Sequence, residues 1–237
     1  MRPKTLALLL FLFACPPAFP LGQDQLYTGD AATVPPGQVQ FQLHYNTTFS
    51  AGVRLSGTSF TFGATGNADV KLSHGYLWND RGPNVQLGPS VGAKWRFLGD
   101  GRRKPSLSGS VLYAINQNVG GRDRKNDIGG LLIVEYPTPV VTFLGNLGRV
   151  WVGDDIPDLQ YAAFALARRV SPRVLLAAQY LDVTPLGIGP PGRQLTAYIG
   201  AIVYQASGRV GYSLQIGWVP RAQNAHLNAT LGFSKFF

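Results

Sequence analysis

The strongest limit on how this chain can fold lies in its last residues, where Leu231, Phe233 and Phe237 alternate with Thr230, Gly232 and Ser234. Side chains two apart share one face of a strand, so the segment reads as a strand with one apolar and one small, polar face. The same period recurs through most of the chain. From Gln38 to Phe49, Val39, Phe41, Leu43, Tyr45 and Phe49 share one side, and Gln38, Gln40, Gln42, His44 and Asn46 share the other. Twelve such stretches can be read, at about residues 38–49, 55–64, 68–78, 84–98, 105–116, 127–137, 140–152, 159–169, 173–182, 194–204, 210–219 and 226–237. In the fourth, Val85, Leu87, Val91, Ala93, Trp95 and Phe97 oppose Gln86, Ser90, Lys94 and Arg96. The seventh and eighth are apolar on both faces, which leaves their phase open, and the second is the least regular. No run approaches the roughly 18 apolar residues of a membrane helix, so a chain this apolar has to be built from strands.

The start of the chain differs. Arg2 and Lys4 precede an apolar run from Leu6 to Ala14, too short to span a bilayer and of the size of a secretory leader's core. We expect residues 1–22 to be a signal peptide, 23–37 an N-terminal periplasmic tail or lumen plug, and 38–237 a barrel. Leu12-Phe13-Ala14-Cys15 also resembles a lipoprotein box, in which Cys15 would be acylated. Removal of the leader takes away the single cysteine, and with it any disulfide, thiol nucleophile or cysteine metal site. It also leaves 21 − 2 = 19 basic against 12 acidic residues, a net charge of +7. Those cations are scattered rather than gathered in a run, apart from two loop clusters, which argues against nucleic acid as a partner.

An exported chain that ends on an alternating strand closed by phenylalanine resembles the bacterial outer-membrane β-barrels. The resemblance implies an all-β, antiparallel, up-and-down transmembrane barrel in the outer membrane of a Gram-negative bacterium. It also implies contact with outer-membrane lipid, and Phe233 and Phe237 as the signal read by the barrel-assembly machinery. Connection lengths agree, since such barrels have short periplasmic turns and longer outer loops. Thr65-Gly66-Asn67, Pro137-Thr138-Pro139 and Val170-Ser171-Pro172 are tight, whereas Gln117 to Asn126 and Val183 to Arg193 are long. Trp78, Trp151 and Trp218 end odd-numbered strands at the expected outer rim, and Trp95 falls at the inner rim with Phe97, Tyr136 and Phe237. Two further segments, Thr28 to Gly37 and "GAKWRFLGDGRRKP", resemble the barrels of the phenol-degradation MetA-pathway family. That likeness implies a transporter linked to aromatic compounds and carries no catalytic residues.

Chemistry is sparse in the sequence. His44, His74 and His226 lack the His-x-Ser spacing of outer-membrane phospholipases, and His74 falls on the lipid side unless a bulge shifts the phase. Asp123, Asp127, Asp154, Asp155 and Asp158 sit in or beside loops as solvated carboxylates or a calcium site. We expect no cofactor, no metal and no enzyme activity. The polar set expected to line the lumen is Gln40, Gln42, His44, Lys71, Lys94, Arg96, Glu135, Arg168 and Arg173, with Asp69 of opposite sign. Confined cations favour anions, so these residues suggest a basic inner mouth for small anionic or carboxylated aromatic solutes. The alternative is that the same cations pair with Asp69 and Glu135 and brace a closed barrel. Two classes of function follow: a passive uptake channel for small organic solutes, or a non-conducting barrel that docks a partner. An outer-membrane hydrolase comes third.

Overall fold

The computed structural model describes residues 31–48, 53–80, 84–100, 103–115, 126–153, 158–186, 195–220 and 226–237. Residues 1–22, expected to be a leader and including Cys15, residues 23–30 and the loop residues Asp123, Asp154 and Asp155 lie outside the described residues. Twelve strands run in chain order: β1 (Val39–Thr48), β2 (Val53–Thr65), β3 (Ala68–Asn79), β4 (Val85–Leu98), β5 (Ser106–Ala114), β6 (Asp127–Pro137), β7 (Thr142–Trp151), β8 (Asp158–Ser171), β9 (Val174–Leu186), β10 (Leu195–Ser207), β11 (Val210–Val219) and β12 (His226–Phe236). Each pairs antiparallel with its neighbours in sequence, and β12 pairs back to β1, so the sheet is a closed all-β barrel. The irregular second stretch is a full strand.

Closure is made by the first and last strands. Leu43 lies opposite Phe233 and His44 opposite Gly232. At the seam's end the Phe237 amide donates to the Val39 carbonyl at 2.9 Å, and the Val39 amide donates back to Phe237 at 3.3 Å. Outside the wall, Phe41 meets Phe233 edge-on with ring centroids 6.4 Å apart. The start of β1, the end of β12 and the tight turns share one end of the barrel, the terminal end. Longer connections, such as Ala114 to Asp127 and Leu186 to Leu195, share the loop end.

Alternation sorts the two faces. Leu132, Val134, Phe143, Leu147, Phe164, Leu166, Leu214 and Ile216 point outward and are exposed, as an apolar band meant for hydrocarbon would be. Inward residues such as Gln42, Lys94, Ile133 and Asn146 are buried. The undecided phases resolve: Leu144, Asn146 and Val150 of β7 and Leu159, Ala163, Ala165 and Ala167 of β8 are buried on the inner face. Trp78, Trp95, Trp151 and Trp218 are all exposed outside, with Trp218 stacked on Tyr198 at 6.0 Å.

Register slips occur beside four terminal-end turns, at Gly63/Thr65, Arg96/Leu98, Arg169/Ser171 and Gln205/Ser207. One more lies within the wall between Ser73 and Gly75 of β3, where β4 carries the extra residue. It corrects the expected single alternation along β4: Gln86 is exposed whereas Ser90 is buried, because an inserted residue reverses the faces beyond it. On β3 itself the alternation continues, with Ser73 buried and His74 exposed outward. The bulge therefore sits opposite His74 without turning it inward.

A charge on the apolar band tests this assignment. Leu132→Lys, at the middle of β6 on the outer face, should lower stability in lipid vesicles by about 2–4 kcal/mol. Urea titration of the inserted barrel is the measurement.

Candidate functional site

The site a barrel offers is its interior, and here the inner wall is divided. Strands β7 to β10 present aliphatic and small side chains: Val150, Leu159, Ala163, Leu181, Val183, Ala197 and Ile199 form one buried cluster. Leu144, Ala165, Ala167, Leu175, Ala177, Ala201 and Val203 form a second. The remaining strands are mostly polar inside. Buried amides and hydroxyls lie on β11, β12, β1 and β2, including Gln40, Gln42, Asn46, Ser59, Thr61, Ser213, Gln215, Asn228, Thr230 and Ser234. Charged groups gather on β3, β4 and β6, as Asp69, Lys71, Lys94 and Glu135, with half-buried Arg96 beside them.

Those charges hold the chain's own N-terminal segment. The Ala31 amide donates to Glu135 Oε2 at 3.1 Å, and Ser108 Oγ donates to the Ala31 carbonyl at 2.7 Å. Lys94 Nζ donates to the Ala32 carbonyl. Arg96 donates to Thr33 Oγ1 at 3.2 Å, and the Val34 amide donates to Asp69 Oδ2 at 3.2 Å. From Ala31 to Val34 the segment thus meets β6 and β5, then β4, then β3, crossing the inside of the terminal end. Ala31 and Val34 are fully buried. A turn then feeds β1: Gly37 has φ +75°, and the Gln38 amide donates to the Pro35 carbonyl at 3.1 Å. Proline at the second position of that turn and glycine at the third are what a type II turn requires. Gly63 of β2 is the close approach, since a Cβ there would run into the carbonyls of Pro35 and Val34.

Of the residues expected to line the lumen, Gln40, Gln42, His44, Lys71, Lys94, Arg96 and Glu135 lie on the inner face. Two do not. Arg168 pairs with the exposed, outward Leu176, while its neighbours Ala167 and Arg169 share the inner parity, so Arg168 points away from the lumen. Arg173 lies in the exposed turn between β8 and β9. The apolar character of both faces of β8 is what misled the phase there.

The expected basic mouth is therefore not assembled as a free ring. Lys94 lies 3.9 Å from Asp69, both nearly fully buried, and also binds the N-terminal segment. Lys71 donates to Gln42 Oε1 at 3.5 Å, and Arg96 also donates to the Gly66 and Asp100 carbonyls. Charged and hydrogen-bonded together, these groups compensate one another, as buried ions must.

Among the acidic residues near loops, Asp127 accepts from the Gly153 amide at 3.0 Å and Asp158 pairs with Arg149 at 2.8 Å. Among the described residues no three His, Cys, Asp or Glu converge as metal ligands. Sequence reasoning missed Ser108 as an anchor and the apolar sector as a unit, because both depend on contacts distant in sequence. The signal available for the inserted segment was Pro35-Pro36-Gly37.

A closed twelve-stranded antiparallel barrel, apolar outside and largely polar inside, resembles barrels found among outer-membrane porins. Neither a family model nor a curated protein matches the chain by sequence. By shape it resembles an outer-membrane channel from Pseudomonas putida F1, with TM-score 0.65 and 12% identity over 88% of this chain and 98% of that one. The NanC porin aligns with TM-score 0.64 and 9% identity, over 83% of this chain and 98% of that one. The KdgM porin gives TM-score 0.63 and 7% identity, over 84% and 99%. At such identities the likeness is one of fold, a fold typical of outer-membrane proteins of Gram-negative bacteria.

The packing at Gly63 gives a direct test of the inserted segment. On a Cys15→Ser background, Ala31→Cys should react slowly with a thiol reagent in the folded barrel. Adding Gly63→Val should speed that reaction by about tenfold or more, by displacing Val34 and Pro35. Time-resolved labelling followed by mass spectrometry reads the difference.

Proposed function

We propose that this chain is an outer-membrane channel for passive uptake of small organic solutes, its periplasmic mouth narrowed by residues 31–37. The observation that carries the reading is the divided interior: an uncharged hydrogen-bonding wall on β11 to β2 faces a largely aliphatic wall on β7 and β8, interrupted by Asn146. A lining of that kind suits organic molecules with one polar edge better than it suits ions. Fold likeness to porins and to a channel adds to the prior without naming a cargo. The resemblance to the MetA-pathway barrels favours aromatic solutes. In this reading residues 1–22 are a cleaved leader, the terminal end faces the periplasm, and the assembly machinery recognises β12 through Phe233 and Phe237. No catalytic role is assigned.

The inserted segment favours a second reading, a non-conducting barrel that docks a partner. Planar-bilayer recording of the refolded mature protein separates the two. A channel should show stepwise conductance with weak ion selectivity, permeability ratios within about threefold of unity, because its inner charges are compensated. Removing residues 23–36 should raise the unitary conductance by about twofold or more. Silence from protein shown to be folded would favour docking, and a strong anion preference would restore the basic mouth.

A further inference from the structure

One height of the inner wall is almost without side chains. His44 of β1 is flanked by Gly57 of β2 and Gly232 of β12. Beyond them come Gly75 of β3 and Ser213 of β11. Across five neighbouring strands, the only side chains at that level are His44 and Ser213. A Cβ at Gly57 would find only the His74 carbonyl, 4.0 Å away, so the wall is recessed there.

Each carries a buried polar atom with an unmade hydrogen bond: half-buried His44 at Nε2 and buried Ser213 at Oγ. Their polar neighbours toward the loop end satisfy each other, as Asn46 donates to Thr230 Oγ1 at 2.6 Å and Gln179 donates to Gln215 at 3.3 Å. On the terminal side Ser59 donates to Gln42 Oε1 at 3.2 Å. Buried polar atoms without partners are rare because each costs free energy. Gln40 and Thr61 nearer the terminal end also lack partners, but only His44 and Ser213 stand in the recess, where a ligand's polar group or a replaceable water belongs.

We infer that the His44–Ser213 recess is a solute-binding site of the lumen, selective for an uncharged organic molecule carrying a hydroxyl group. A hydroxyl both donates and accepts, which matches an imidazole nitrogen and a serine hydroxyl across the glycine gap. Among the described residues no charged side chain stands at this height: Asp69, Lys94, Arg96 and Glu135 lie nearer the terminal end and hold residues 31–34. Lys71 of β3, the charge nearest His44, is engaged with Gln42 Oε1 at 3.5 Å. Strands β7 and β8 stand across a twelve-stranded ring from β1 and β2, and Ala163 and Ala165 on the inner face of β8 offer the solute's apolar body a small-residue wall. This inference deepens the channel reading and rests on it for the solute's route.

The chain's three histidines make a direct test possible. Barrel purified from outer membranes with ¹⁵N-labelled histidine is titrated with benzyl alcohol, and the imidazole resonances are followed by NMR. The His44 signal should shift saturably while those of His74 and His226 stay in place. Ser213→Ala should weaken the apparent affinity by about 5- to 10-fold, the loss of one hydrogen bond. Benzoate and toluene, which keep the ring but change the charge or remove the hydroxyl, should leave the His44 signal unmoved. No shift with benzyl alcohol, an equal shift with either control, or an unchanged affinity in Ser213→Ala each overturns the inference. A barrel that is silent in bilayers yet titrates at His44 loses the channel reading and keeps the site. One that conducts without titrating loses the site alone.

Discussion

Every backbone amide and carbonyl in the apolar layer has to find its partner inside the protein, since hydrocarbon offers none. That demand is met only if the first strand meets the last. The β1–β12 ladder, from Gln40 opposite Phe236 to Thr48 opposite Asn228, is therefore the contact on which the other eleven depend. An open edge would leave a row of unpaired groups and a template for aggregation. Phe41, Phe233 and Tyr212 pack along the outside of this seam, where apolar rings cost nothing in lipid and cover the ladder.

Once the wall is closed, its curvature gathers the inner faces and makes their chemistry collective. Lys94 would be intolerable as an isolated buried cation, yet with Asp69 beside it and the Ala32 carbonyl against it the charge is held. Glu135 is matched in turn by the Ala31 amide. The inserted segment thus serves as ligand to the wall: it supplies backbone groups that complete the hydrogen bonding of Asp69, Lys94, Ser108 and Glu135. The same contacts confine charge to one sector and leave β11 to β2 uncharged.

Much of this was legible from alternation. Val39, Phe41 and Leu43 against Gln40, Gln42 and His44 define β1's two faces without any structure, because a strand's period is two and each face meets a different solvent. Strand number, turn positions and the outer tryptophans follow from the same arithmetic. Legibility failed where the period carried no contrast or was interrupted. Both faces of β8 are apolar, so Arg168 could not be phased, and the extra residue in β4 sent Gln86 to the side opposite Ser90. In the sequence the N-terminal segment stays open, as periplasmic tail or lumen plug, for a different reason. Ala31 to Val34 has no period, and its partners Asp69, Lys94, Ser108 and Glu135 lie far along the chain, so only the three-dimensional ring brings them together.

The failure over the cations is instructive about lumens in general. Counting inward Lys and Arg predicts an anion path only if those charges remain uncompensated. Of the cations assigned to the mouth, Arg168 faces out, Arg173 lies in a turn, and Lys71, Lys94 and Arg96 are engaged with amides, carbonyls or Asp69. What distinguishes the interior is instead the boundary between an amide-and-hydroxyl wall and an alanine-rich one. A boundary of that kind orients a molecule with two unlike faces and gives little purchase to a symmetric ion. In the channel reading, selectivity follows from the order of the strands, which places β7 and β8 across the lumen from β1 and β2.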